Sequence, residues 1–532
     1  MILVFYGYLT KIFLILLPLR LIFTITLIKN NLQLNKLKSE KFLNNIFAWI
    51  PSLSFGLKMI GSRNMDKIWP KLIFILGLGL VLFLATYKLT ESPPVWLDEG
   101  VFTQVAINLA QFGEHSIMTG PGNFVSAWFA TTGYSVTVPI ALTFKIFGIN
   151  LFVARSLMAV FIILMALVSY FLIKKEFDWL WANLSLLLLA TFAPLYGNGK
   201  SVLGEVPGLF FLVSALFFLN ISQITKRKSY YLFTGVLIGL CVITKPIFLV
   251  LIPAVIGAFY LKRKTIPNLI EQGIFLSLGF GLALIPWLLI QFSGSSLVQV
   301  FGHYANPYDL PFKIVLLTNL KQFISEAQPI YFLLLFVVWL LAYFRRFYKK
   351  QFISLTETTA LVFSVLIFIA YFRIEGHYRY FFPAQVLALI YLPNSLGVLF
   401  FSYSRKIIVV IVVILIIFQS YQTIFHSWVA TYYQSTRSAE ITNTFSSLPK
   451  TKKIFIYQAP ETVVFLAGQD YYQFFQITKL IVVGQDNLKM LMAGEMDFVV
   501  VPISLYQTQE NLFKPYLKFK EFGKYLLLTK NI

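Results

Sequence analysis

Charge is scarce in this chain of 532 residues: Asp, Glu, Lys and Arg make up 12% of it, and there are four histidines and one cysteine. Cys241 lies inside an apolar run, so a disulfide framework and a thiolate metal site are both excluded. What fills the space is apolar. Hydrophobic residues make 58% of the chain, aromatics 17%, and the mean hydropathy is +0.76. That composition excludes an ordinary soluble domain and reads as a polytopic α-helical membrane protein. Acids are outnumbered two to one, 22 against 44 Lys and Arg, for a net charge of +22. In a soluble protein this excess would point to nucleic acid. Here the basic residues cluster in short loops between apolar runs, as the positive-inside rule requires, and nucleic acid is not the expected partner. Internal repeats, low-complexity tracts and a G-x-G-x-x-G after a strand are also lacking, which removes repeat and dinucleotide-binding architectures.

Threading the runs by the positive-inside rule gives about eleven spans between Leu72 and Phe425. Lys67 and Lys71 hold the start of the first inside. Lys174-Lys175, Lys226-Arg227-Lys228, Lys262-Arg263-Lys264, Arg345-Arg346 with Lys349-Lys350, and Arg405-Lys406 then fall on the same side. Trp179 to Tyr196 reads as one span. Tyr230 to Leu261 is too long for one and is expected to turn outside near Lys245-Pro246, because a residue before proline disfavours the helical region. Val136 to Phe147 is expected to lie in the interface. The long outer loop Phe292 to Gln328, broken by Pro307 and Pro311, is a candidate mobile lid.

Three domains follow. Residues 1–64 read as an extension upstream of a start near Met65, with a twelfth helix as the alternative, since Leu3 to Ile28 carries Lys11 and Arg20. Residues 65–427 form the membrane domain. Residues 428–532 turn polar and read as a small extracytoplasmic α/β domain, with strands at Lys453 to Tyr457, Leu480 to Val483 and Phe498 to Val501. Helical stretches are expected near Pro460 to Leu466 and Asn487 to Met492, and a closing hairpin over Tyr516 to Phe519 and Lys524 to Leu528.

The chemistry points to Val95-Trp-Leu-Asp-Glu-Gly-Val-Phe-Thr-Gln104. Asp98 and Glu99 stand side by side just beyond the first span, followed by Val101, Phe102, Val105, Leu109 and Phe112 at the spacing of an amphipathic interfacial helix. Asp98 has two readings, an N-cap of that helix or a reactive carboxylate. Lys200, Lys245, Arg373 and Arg379 fall at the outer ends of spans, near Glu205, Glu375 and His377. Ionisable groups at membrane depth are costly and default to function. Carboxylates with cations suit an anionic, lipid-borne substrate: the cations hold a phosphate and an acid activates the attacking group.

Trp96-Leu-Asp-Glu-Gly-Val-Phe-Thr-Gln-Val-Ala-Ile-Asn-Leu-Ala-Gln-Phe-Gly113 resembles the first-outer-loop signature of the GT-C membrane glycosyltransferases, in the branch of the protein O-mannosyltransferases and lipid A aminoarabinose transferases. Phe147-Gly-Ile-Asn-Leu-Phe-Val-Ala-Arg155, Thr244-Lys245-Pro246 and Tyr378-Arg-Tyr-Phe-Phe-Pro383 are similar in order. The resemblance implies a GT-C fold in the plasma membrane, with the active site and C-terminal domain outside. It implies transfer of a sugar, with inversion, from a polyprenyl-phosphate donor to a protein, lipid or cell-wall glycan acceptor among the membrane lipids. It makes Asp98 the general base, with Glu99 beside it. Glu205 matches a second outer-loop acid that is often Asp in relatives, a departure that fixes neither its role nor any divalent metal. Lys245 and Arg379 match the phosphate contacts, with Arg373 a further candidate. The alternative is a lipid or glycan transporter, against which stands the near absence of charge in mid-span. An oligosaccharyltransferase would carry a Trp-Trp-Asp motif, which is lacking from Trp428 to Ile532.

Overall fold

In a computed structural model, the described residues are 62–531 apart from 292–296, 307–309, 374–376, 401–404, 428–436 and 479–480. The chain divides into units 1–71 and 72–532, and everything below concerns the second. The expected extension, and most of its extra helix, lie outside the described residues.

Seven described helices are long and apolar enough to cross a membrane, from Ile68–Thr86 to Arg405–His426. An eighth is a bent pair, Trp179–Ala190 and Ala193–Gly199, at 61°. This corrects the single straight span expected from Trp179 to Tyr196. The break at Thr191 and Phe192 precedes Pro194, which disfavours a helical residue before it and starts the second segment. Shorter apolar helices Lys228–Thr244, Pro246–Lys262 and Leu355–Tyr371 occupy the other expected positions. Lys245, with φ −161° and ψ 142°, is extended, and a 3-10 turn starts at Pro246, as the dipeptide foretells. The loop 292–328 is not bare: it contains helices Leu297–Ala305 and Phe312–Ser325.

Beyond Arg437 the chain forms a six-stranded mixed sheet in the order β5-β4-β3-β6-β8-β7. The strands are β3 Ile454–Tyr457, β4 Tyr472–Gln476, β5 Val482–Val483, β6 Phe498–Pro502, β7 Tyr516–Phe522 and β8 Tyr525–Lys530. β3 runs parallel to β4 and β6, and β7 and β8 form the expected hairpin. β4 was not read from the sequence because Tyr472-Gln-Phe-Phe-Gln476 places Gln473 on a buried face.

That buried glutamine belongs to a joint. Helix Leu97–Gln111 is buried from Glu99 to Asn108, so the expected amphipathic helix in the interface is corrected. Its second face is covered by the 3-10 helix Pro460–Leu466 of the C-terminal sheet region. Gly100 makes the approach feasible, since a Cβ there would lie 2.3 Å from the Glu461 backbone. Next to it, Gln104 donates to the Pro460 carbonyl at 3.1 Å, and Gln473 donates to Gln104 Oε1 at 2.8 Å. Asn487 donates to the Thr119 carbonyl at 2.7 Å, tying down the hairpin Ser116–Gly120 and Asn123–Ser126 that follows the helix. Gly100→Ala should push these backbones apart, at a cost of about 1–3 kcal/mol, typical of overpacking. The checks are a lower apparent melting temperature of the purified protein and faster proteolysis within 437–532; an unchanged pair would show that the joint tolerates the methyl group.

Candidate active site

Asp98 and Glu99 diverge. The helix starts at Leu97 with Trp96 in the N-cap position and no side-chain cap, so Asp98 stands in the first turn and the N-cap reading is overturned. Its carboxylate, 27% exposed, faces a cavity of about 310 Å³. Glu99 points the other way and is fully buried.

Glu99 is held by Arg155, from helix Leu151–Glu176. Nε donates to Oε1 at 2.8 Å and Nη2 to Oε2 at 2.6 Å, a bidentate fork with both side chains at 0% exposure. The backbone N–H of Val202 donates to the same carboxylate at 3.1 Å, and the remaining guanidinium nitrogen of Arg155 donates to the carbonyls of Leu89 and Pro93. Every polar atom of the fork is therefore used, which is what permits two charges in an apolar interior. Close by, Lys200 donates to the Tyr87 carbonyl at 2.6 Å, and burial followed by Arg155 pushes its ammonium down to about 7.

On the cavity side, Arg379 in the 3-10 turn Tyr378–Tyr380 donates to Asp98 Oδ2 at 2.8 Å. Its guanidinium lies 5.0 Å from the Trp96 ring and 5.5 Å from that of Tyr380, within cation–π range. Its Nε is 3.9 Å from Glu205 Oε1. Glu205 opens helix Glu205–Thr225, where the helix dipole favours an acid, and it is fully buried and ion-paired to Lys245. The two meet because Gly204 lacks a side chain: a Cβ there would fall 2.7 Å from the Thr244 carbonyl. Burial alone would lower the Arg379 pKa, but Glu205 and then Asp98 reverse this and hold it above the ordinary arginine value. Lys245 is held below the ordinary lysine range by burial, against the opposing pull of Glu205.

Asp98, Lys245 and Arg379 thus line one cavity, and Glu205 joins the two cations from behind. Arg373 is exposed and does not line it; Glu375 lies outside the described residues. Further lining residues escaped the sequence reading: Tyr380, His303 and Tyr304 from the loop helix Leu297–Ala305, and Ile477 and Ile481 from the C-terminal region. The pull toward His303 and Tyr304 was in the sequence only as a long outer loop; Ile477 and Ile481 carried no signal. Among the described residues no three His, Cys, Asp or Glu side chains converge as metal ligands. Asp98 and Glu205 are both engaged by cations, so these donors do not fit a divalent ion, and no step below uses one.

Comparison with known proteins agrees with this geometry. The model of the dolichyl-phosphate-mannose-protein mannosyltransferase family matches residues 136–290, which hold Glu205 and Lys245. Among solved structures, the chain is similar to ArnT from Cupriavidus metallidurans bound to undecaprenyl phosphate, with TM-score 0.61 and 13% identity over 86% of this chain and 97% of that one. It is similar also to the oligosaccharyltransferase of Archaeoglobus fulgidus in the apo form, with TM-score 0.58 and 12% identity over 88% of this chain and 75% of that one. At such identities the likeness is one of fold. No curated protein matches in sequence.

Removing one partner of the buried fork leaves the other charged and unpaired, an effect of roughly 3–5 kcal/mol. Arg155→Met should therefore sharply lower the yield of folded protein, and Arg155→Met with Glu99→Leu should recover much of it. Apparent melting temperatures decide the point; a double variant no better than the single would contradict it.

Proposed function

This chain is an integral membrane protein with the GT-C fold, and from that premise we propose that it transfers a sugar from a polyprenyl-phosphate donor to an acceptor on the outer face of the membrane, inverting, with Asp98 as general base. The observation that carries the reading is the convergence of one accessible carboxylate, Asp98, with two cations, Lys245 and Arg379, in one cavity. The basic clusters support the outer location. Lys174-Lys175, Lys226 to Lys228 and Arg345-Arg346 all lie at helix ends remote in sequence from the site residues, which occupy the opposite ends of the same helices.

A polyprenyl-phosphate sugar already carries a good leaving group. The acceptor O–H or N–H attacks the anomeric carbon, its proton passes to Asp98, and the bond to the phosphate oxygen breaks with its electron pair going to the phosphate. Lys245 and Arg379 neutralise that charge with charge-assisted hydrogen bonds. Arg379 spends its contact on Asp98 while no phosphate competes for it. A phosphate at Arg379 would draw the guanidinium and release the Asp98 oxygen as base, so that donor binding and base activation are one event. Glu205 holds both cations in register. Glu99 acts through Arg155, fixing the first turn that carries Asp98, and is a positioning residue. Arg373, outside the cavity, has at most an auxiliary part. Protein, lipid and cell-wall glycan acceptors all suit this chemistry.

Asp98→Asn keeps the shape of the side chain and removes the base. Transfer should fall by about 10²- to 10⁴-fold, the usual worth of positioned acid–base help, with membrane insertion and melting behaviour unchanged. Arg379→Ala should weaken binding of undecaprenyl phosphate, measured by thermal shift on the purified protein. Retained transfer in the first variant removes Asp98 as base; retained affinity in the second removes Arg379 from the phosphate site.

A further inference from the structure

We infer that Ile477 and Ile481 of the C-terminal sheet region, with Val101 and Phe102 of helix Leu97–Gln111, form the acceptor-side wall of the cavity and select acceptors whose reactive group is flanked by apolar surface. The inference rests on the transferase reading above and deepens it.

Two observations meet here. First, the cavity has one charged corner, and its cations come from the membrane-helix side: Lys245 from the break before Pro246, and Arg379 from the turn before Phe382. Ile247, Leu249 and Val250, beside Lys245, continue that side as apolar surface, which suits the donor's prenyl chain. Inversion requires the attacking group to reach the anomeric carbon from the face opposite the departing phosphate. The acceptor therefore enters from the side away from Lys245 and Arg379.

Second, that side is built by the C-terminal region. Val101 and Phe102 follow Asp98 by three and four residues, so they lie on its face of the helix. Against this helix sits the joint at Gly100 and Gln104, and the Gln473 that closes the joint belongs to β4. β4 runs directly into Ile477. The backbone N–H of Ile477 donates to the carbonyl of Ile481 at 3.0 Å, and Phe475 pairs with Val483 just beyond. The two isoleucines are thus clamped together at the β4–β5 turn, and both line the cavity. A joint with fully buried glutamines and a glycine at 2.3 Å holds the turn in a fixed position relative to Asp98. The four residues of this wall are aliphatic or aromatic. They offer no side-chain hydrogen bonds to a polar glycan, and they reward apolar area at about 25 cal/mol per Å².

The test uses purified protein in lipid nanodiscs, a panel of labelled undecaprenyl-phosphate sugars as donors, and methyl and octyl glycosides as acceptor surrogates. The wild type should label the octyl glycoside at least about tenfold better than the methyl, in line with burial of several methylenes. Ile477→Ser with Ile481→Ser should reduce that preference to within about threefold at unchanged undecaprenyl phosphate binding, while Ile481→Val, which keeps the wall apolar, should retain it. Unchanged phosphate binding also shows that the double variant is folded. The inference is overturned if the double variant keeps the preference, if the wild type has none, or if the double variant loses undecaprenyl phosphate as Arg379→Ala does. A wild type that binds undecaprenyl phosphate and labels neither glycoside overturns the transferase reading, and the acceptor wall with it.

Discussion

Charge at the end of an apolar bundle must be paired, and the site depends on how that pairing is arranged. Asp98, Arg379, Glu205 and Lys245 form a chain of opposite charges, with Glu205 fully buried and Asp98 the most open to the cavity. In a low dielectric such a chain holds its members in place without other scaffolding. It also leaves the outermost contact, Arg379 to Asp98, as the one that an incoming anion can replace. Glu205 Oε2 and Arg379 Nε are buried without a hydrogen-bond partner, so the chain is not fully satisfied on its inner side.

The neighbouring fork, Arg155 with Glu99, has the opposite character. All its contacts are made within the protein, both side chains are closed off from the cavity, and it joins the first outer loop to the second and third spans. Adjacent acids in the sequence thus serve different ends. One is exposed and exchangeable; the other fixes the helix turn that aims it. The C-terminal sheet region completes the arrangement by covering the far face of the same helix, so that the segment carrying Asp98 is gripped from the membrane side and from the outside together.

Much of this was legible in the residues. Apolar run lengths located the helices, and Lys245-Pro246 announced its own turn because proline constrains both itself and its predecessor. The scarcity of charge made Asp98, Glu205, Lys245 and Arg379 conspicuous. What was hidden depends on contacts between distant segments. Nothing local says that Glu99 turns inward, because its partner Arg155 lies 56 residues on. The apolar spacing of Val101, Phe102 and Val105 reads as a membrane-facing stripe when the other covering surface is 356 residues away. Ile477 and Ile481 look like any strand-end pair until the sheet is seated on the helix.

The central claim is that donor phosphate takes Arg379 from Asp98. It is tested most directly by an experimental structure of the protein with undecaprenyl phosphate bound. The account predicts phosphate oxygens within hydrogen-bond distance of both Lys245 and Arg379, and an Asp98 carboxylate released from Arg379 toward the cavity. A phosphate seated elsewhere, with the Asp98–Arg379 pair intact, would contradict it.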